Sequence, residues 1–318
     1  MDQQEINNQK ESKLEINSIT SCDEGICEPF PTNGNQLVDV HKYPERRGIR
    51  INRVGVSDVK FPLIVKQKIG GQQEVHAAIG MYGSLLKNVK GTNMSRFIEE
   101  LLSNWKTDPI SGDTFEKLLR SLARKLGSDD VYIDAEFDYF MPKSTPATKK
   151  PHITSHNCRF IGQILKSKFY FTTETNVLVA SYCPCSKEMS LVDKEKNIGR
   201  GAHAQRGLVS LQVRTSPPQP GLWLEDQIDI CEKAGSAELY PLLKRPDEKW
   251  VTEQGYGNPK YVEDIARDVM VKIKQMDKVQ WARCRVKNFE SIHPHNVQCI
   301  IEISKKGGRW YQTNRGKM

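Results

Sequence analysis

The chain has no apolar run approaching the roughly 18 residues that cross a bilayer, and its opening residues are polar and acidic-leaning. Neither a membrane span nor a secretory leader is expected, and the expected compartment is the cytoplasm. Cysteine is sparse and irregularly spaced, with eight in 318 residues. That is too thin for a disulfide scaffold in a chain of this length, so reduced thiols are expected. A long basic tract is also missing. The 47 Lys and Arg exceed the 39 Asp and Glu by eight, but they are dispersed. Dispersal argues against a nucleic-acid arm. It leaves room for a polyanionic small molecule such as a nucleoside triphosphate, which Lys and Arg bind well.

What is present is the composition of a folded soluble protein, 37% hydrophobic and 27% charged, with length enough for about two domains. Residues 1–38 are rich in Asn, Gln, Glu and Ser without periodicity and read as a flexible extension. They include Cys22 and Cys27, which lack the further ligands of a structural zinc site. From Gly48 the β-branched, partly alternating segments predict a strand pair across 50–86. Two helices follow, the second capped by Ser111 or Asp113. Its apolar face is Phe115, Leu118, Leu119, Leu122 and Leu126, and it stops at Gly127. Val131, Ile133, Ala135, Phe137 and Tyr139 alternate with polar neighbours as in a half-buried strand. Further strands lead to Cys183. A similar order returns downstream: strands, a helical pattern over LEDQIDICEKAGSAELYPLL, a strong helix with Pro259 in its first turn, and two closing strands. The fold class is α+β, antiparallel sheets with paired helices on one face, in two tandem modules at 39–170 and 171–318.

The chemistry-bearing residues concentrate around 179–206. In Cys183-Pro184-Cys185 an extended chain would aim both thiols at one side; His203 follows in GAHAQR. Downstream stand Glu248 in RPDEK, just after Pro246, which reads as the end of a helix, Glu263 near the start of the strong helix, and His293 and His295 in HPH. Each taken singly is an ordinary core thiol, surface carboxylate or solvated imidazole. Convergence of Cys, His and a carboxylate would make a three-ligand metal site with an open position, where bound water loses its proton at a pH near about 7.

Taken together, RVGVSDVKFPL, GTNMSRF, CPCSKE, GAHAQR, RPDEK, NPKYVED and SIHPH, in that order over residues 38–306, resemble the prokaryotic type IB GTP cyclohydrolases. The resemblance implies two tunnelling-fold modules assembled as a homotetramer. It implies hydrolysis of GTP at guanine C8, giving formate and 7,8-dihydroneopterin triphosphate for folate synthesis. It implies Cys183, His203 and Glu248 as ligands of zinc, manganese or iron. It also implies Cys185 beside the metal in ring opening, Glu263 on the guanine N1 and amino edge, and His293 as proton carrier. Neither nucleic acid nor membrane is an expected partner.

The chain departs from that pattern in four places. The connection between Cys185 and His203 is longer, Asn93 stands where His is usual, Ala204 stands where Asn is common, and the N-terminal extension has no counterpart. Three rival readings remain to be separated by assay. An archaeal-type cyclohydrolase would give a cyclic phosphate product. A tunnelling-fold nitrile reductase would consume NADPH. A basic zinc module would bind nucleic acid with strong salt dependence.

Overall fold

A computed structural model describes residues 40–104, 109–193, 195–196, 198–216 and 222–313. The expectation for residues 1–38, with Cys22 and Cys27, lies outside them.

The predicted strand pair is β1 (Ile51–Lys66) and β2 (Gln72–Leu85). It is followed by α1 (Ser95–Asn104) and α2 (Gly112–Leu126). Ser111 caps α2 by accepting from the Thr114 N–H, and Gly127 closes it at φ 61°, a left-handed position that glycine takes without strain. Then come β3 (Val131–Ser144), β4 (Pro151–Leu165) and β5 (Lys168–Tyr182). A short α3 (Pro184–Met189) and the small pair β6 (Leu191–Asp193) and β7 (Ile198–Gly199) precede β8 (Ala204–Thr215). The chain ends through α4 (Leu224–Ala234), β9 (Ala237–Glu238), α5 (Arg245–Gly257) and α6 (Val262–Lys274). The last strands are β10 (Val279–Asn288), β11 (Val297–Lys306) and β12 (Arg309–Gln312).

One antiparallel sheet runs in the order β1-β2-β3-β4-β5-β8-β10-β11-β12, with β9 attached to β5. Tight turns join β1 to β2, β3 to β4, β4 to β5 and β11 to β12, as adjacent antiparallel strands allow, whereas β2–β3 and β8–β10 are joined through the helices that cover the sheet. Period-two alternation then separates the faces. Val131, Ile133, Ala135, Phe137 and Tyr139 are all buried, as are Phe115, Leu118, Leu119 and Leu122 of α2. Val262, Ile265, Ala266, Val269 and Ile273 of α6 join the same core. At about 25 cal/mol per Å² of apolar surface removed from water, this face is the main force holding helices to sheet.

Three local expectations are corrected. The helical pattern from Leu224 ends at Ala234, because Gly235 leaves the helix and Ala237 pairs with Ala180. Pro246 opens a helix, α5, instead of ending one; its missing N–H costs nothing in a first turn. Pro259 precedes α6 by three residues, and Tyr261 is the residue before its first turn.

Candidate active site

The register of β5 against β8 builds the centre of the site. Tyr182 lies opposite Ala204, and the Cys183 N–H donates to the His203 carbonyl at 3.1 Å, one step beyond the strands. Cross-strand partners hold their Cβ atoms about 5 Å apart on one face. The Ser186 hydroxyl locks the pair, donating to the Cys183 carbonyl and accepting from the His203 N–H. The twenty-residue separation in sequence is closed by sheet register, and the longer connection forms α3 and the β6–β7 pair, tied to α5 by the Lys187 ammonium donating to the Tyr256 carbonyl at 2.8 Å.

Cys183 and His203 line a cleft of about 250 Å³ together with Gln205, Lys260, Tyr261, Glu263, Asn288, Glu290, His293 and His295. Four of the predicted site residues are thus in one place, with His295 beside them. The His293 and His295 rings stack at 5.1 Å and 19°. Glu263 sits at the start of α6, where its neighbour Asp264 takes the capping work by accepting from the Tyr261 N–H at 3.1 Å. That division leaves the Glu263 carboxylate facing the cleft.

Cys185 differs from the extended reading. Pro184 starts α3, and the Lys187 N–H donates to the Cys183 carbonyl at 3.1 Å. The helical turn brings the Cys185 sulfur 2.6 Å from the hydroxyl of Tyr261, which lines the cleft with Cys183. The sulfur contact, with some burial, pushes the Tyr261 phenol up to about 12. The phenol therefore keeps its proton at neutral pH.

Glu248 does not line the cleft. It is exposed in the first turn of α5, and among the described residues no group of three or more His, Cys, Asp and Glu is close enough to hold a metal ion. Seven residues on, Gly255 packs against the Tyr182 ring so closely that a Cβ there would lie 2.3 Å from it. Seven residues are two helical turns, so Glu248 shares the face of α5 that meets Tyr182, about 10 Å farther along the axis. The Cys183–His203 pair fits a divalent ion by its chemistry. A thiolate and an imidazole are transition-metal donors, and the His203 Nδ1 is already engaged at 2.8 Å by Gln205 Oε1, leaving Nε2 for a ligand.

The neighbour of Glu248 has a different task. Asp247 is buried and accepts from the Ala147 N–H, the Thr148 N–H and hydroxyl, and the Lys244 N–H. Burial opposes its ionisation, yet the hydrogen bonds, led by Thr148, hold the carboxyl well below the ordinary 3.8. A lowered folded-state value contributes stability in full above the ordinary value and loses it as pH falls through the folded one. Asp247→Asn is therefore expected to lower Tm by several degrees at pH 7 and to narrow its gap from the parent below about pH 4, measured by thermal melts across pH.

A larger hollow of about 990 Å³ is lined by the strand residues Arg159, Glu174 and Arg285 and by Glu232 of α4, among others. It holds none of the predicted residues. Several of its charges are already paired: Arg159 with Glu174 at 3.9 Å within the hollow and with Asp134 outside it at 3.2 Å, and Glu232 and Glu238 with Lys143. We place the active site in the smaller cleft, where thiol, imidazole and carboxylate groups converge.

Thiol, imidazole and carboxylate side chains in one cleft are the groups that enzymes use for acid–base or metal-assisted chemistry on a small polar substrate. The comparisons name the family. Residues 37–299 match the model of the type I GTP cyclohydrolase FolE2 family, and the chain belongs to that family. GTP cyclohydrolase FolE2 of Nitrosomonas eutropha is 42% identical over 271 residues, covering 85% of this chain and 97% of that protein. The Nitrosococcus oceani FolE2 is 40% identical over 275 residues, covering 86% and 98%. Among solved structures, uricase from Arthrobacter globiformis aligns over 81% of this chain and 95% of its own with TM-score 0.47 and 10% identity, a likeness too slight to bear on fold or activity.

Sequence reading missed Ser186, Gln205, Asn288, Glu290 and Tyr261. Gln205 was within reach of it: in β8, two residues after His203 where the chain enters the strand, it falls on that histidine's side of the chain.

Proposed function

We propose that the cleft at the joined ends of β5 and β8 is where this GTP cyclohydrolase opens the imidazole ring of guanine. Water adds at C8, formate leaves, and the remainder rearranges to 7,8-dihydroneopterin triphosphate, the entry to folate synthesis. The observation that carries the reading is the pairing of Cys183 with His203 in a cleft that also holds Glu263 and His293. Cys183 and His203 would hold a divalent ion, zinc, manganese or iron, and Glu248, outside the cleft in this structure, would join them as third ligand only through a shift of the start of α5; when bound, the ion would acidify water and polarise the purine. Glu263 accepts from the guanine N1–H and amino group, because a carboxylate matches two adjacent donors. His293 moves the proton during ring opening. Cys185, with its sulfur against the Tyr261 hydroxyl, stands beside the reacting ring.

The repeated order of strands and helices supports the finer reading of a type IB enzyme made of tandem tunnelling-fold modules; we propose further that it works as a cytoplasmic homotetramer. Among the described residues no helix is long and apolar enough to cross a membrane.

The test is anaerobic incubation with GTP and each candidate metal, scoring formate and the fluorescent oxidised pterin. Absence of formate with every metal overturns the reading. Glu263→Ala is expected to raise KM for GTP about 100-fold with bound metal unchanged, since it removes charge-assisted hydrogen bonds worth about 3 kcal/mol together. Steady-state kinetics beside metal analysis checks this; an unchanged KM removes Glu263 from the guanine edge.

A further inference from the structure

We infer that Gln205 and Glu290 are positioning residues that fix which nitrogen of His203 faces the reaction centre. The inference rests on the metal pair proposed above and assigns a role to two side chains outside the expected ligand set.

The polarity of the chain of contacts forces the result. Gln205 lies between His203 and Glu290, with Oε1 at 2.8 Å from His203 Nδ1 and Nε2 at 3.4 Å from Glu290 Oε1. An ionised carboxylate only accepts hydrogen bonds. Glu290 therefore holds the amide NH₂ of Gln205 towards itself and turns the amide oxygen to the imidazole. That oxygen only accepts, so Nδ1 must carry the proton. A neutral imidazole has one N–H, and Nε2 is left with a bare lone pair. The tautomer of His203 is thus selected through Gln205 by the Glu290 carboxylate, which need not touch the metal.

The backbone makes the relay rigid. Gln205 is in β8, opposite Ser181 in β5. Glu290 follows β10, and the neighbouring Phe289 N–H donates to the Arg206 carbonyl at 2.9 Å. The ends of two adjacent strands therefore hold Gln205 and Glu290 together, while the Ser186 bridge holds the His203 backbone from the other side. The ring is left with one orientation and one protonation pattern. Supporting hydrogen bonds of this kind alter metal affinity by about 10–100-fold when removed.

Three full-length variants separate positioning from mere packing. Gln205→Leu keeps bulk and removes the acceptor. Gln205→Glu keeps an acceptor for Nδ1–H. Glu290→Gln removes the group that fixes the amide's direction. In metal-free protein, nitrogen NMR of labelled histidine is expected to show His203 protonated at Nδ1 in the parent and in Gln205→Glu, and shifted towards the Nε2–H form in Gln205→Leu, with Glu290→Gln mixed. Zinc or manganese titration against a chelating dye is expected to show about 10–100-fold weaker binding for Gln205→Leu and recovery to within about threefold in Gln205→Glu. An unchanged tautomer in Gln205→Leu overturns the inference. So does equal loss of affinity in Gln205→Leu and Gln205→Glu, which would mean packing alone. Failure of the parent to bind either metal sinks the metal reading instead, and the tautomer measurement still decides the relay.

Discussion

Cys183→Ala is expected to cut formate release from GTP roughly a thousand-fold or more and to leave the purified protein without stoichiometric metal, because an alkyl group has no lone pair to offer a cation. His203→Ala should do the same, for the two side chains occupy opposite positions of one register pair. The double variant should be little worse than either single one, since groups that act as a unit lose their function together. Formate production and elemental analysis on the same preparations check this. The fold should survive: Cys183 lies outside the apolar core, and the backbone bond to His203 does not involve the thiol. Variants that keep full metal and lose only activity would show that the thiol works as a nucleophile without binding the ion.

His293→Ala has the next largest expected effect, a fall in kcat of about 10²–10⁴-fold, the usual range for a lost general acid or base. Metal content and GTP binding should be nearly unchanged, so kcat and kcat/KM fall together. Its neighbour supplies the control. His295 stacks on the same ring at 5.1 Å, and His295→Ala should lose far less if it supports His293 instead of carrying the proton. The pH–rate profile is diagnostic: one limb should flatten in His293→Ala and persist in His295→Ala. The reverse pattern would exchange the two roles.

Much of this architecture was legible from periodicity. The alternation Val131 to Tyr139 and the three-four spacing of α2 both arise from residues that bury one face, and burial is what such patterns encode. Cys183, His203, Glu263 and His293 were legible as types, and their gathering follows from sheet register and one helix start. Cys-Pro-Cys misled because proline fits a first helical turn as well as an extended strand, so alternation did not apply to Cys185. The helix carrying Glu248 was hidden for a related reason: Pro246 was taken as a stop. Gln205 and Glu290 were not singled out because their meaning lies in the direction of hydrogen bonds between strand ends, and composition does not carry direction.

Asp247 reaches across a hundred residues to clasp the Ala147–Thr148 hairpin, one position before Glu248. The early hairpin and the late helix are therefore a single mechanical joint. Swapping residues 145–148 for another turn of equal length would unmoor the start of that helix without touching any side chain in the cleft. The chain's two halves are not free to evolve, or to be recombined with those of a relative, independently of one another.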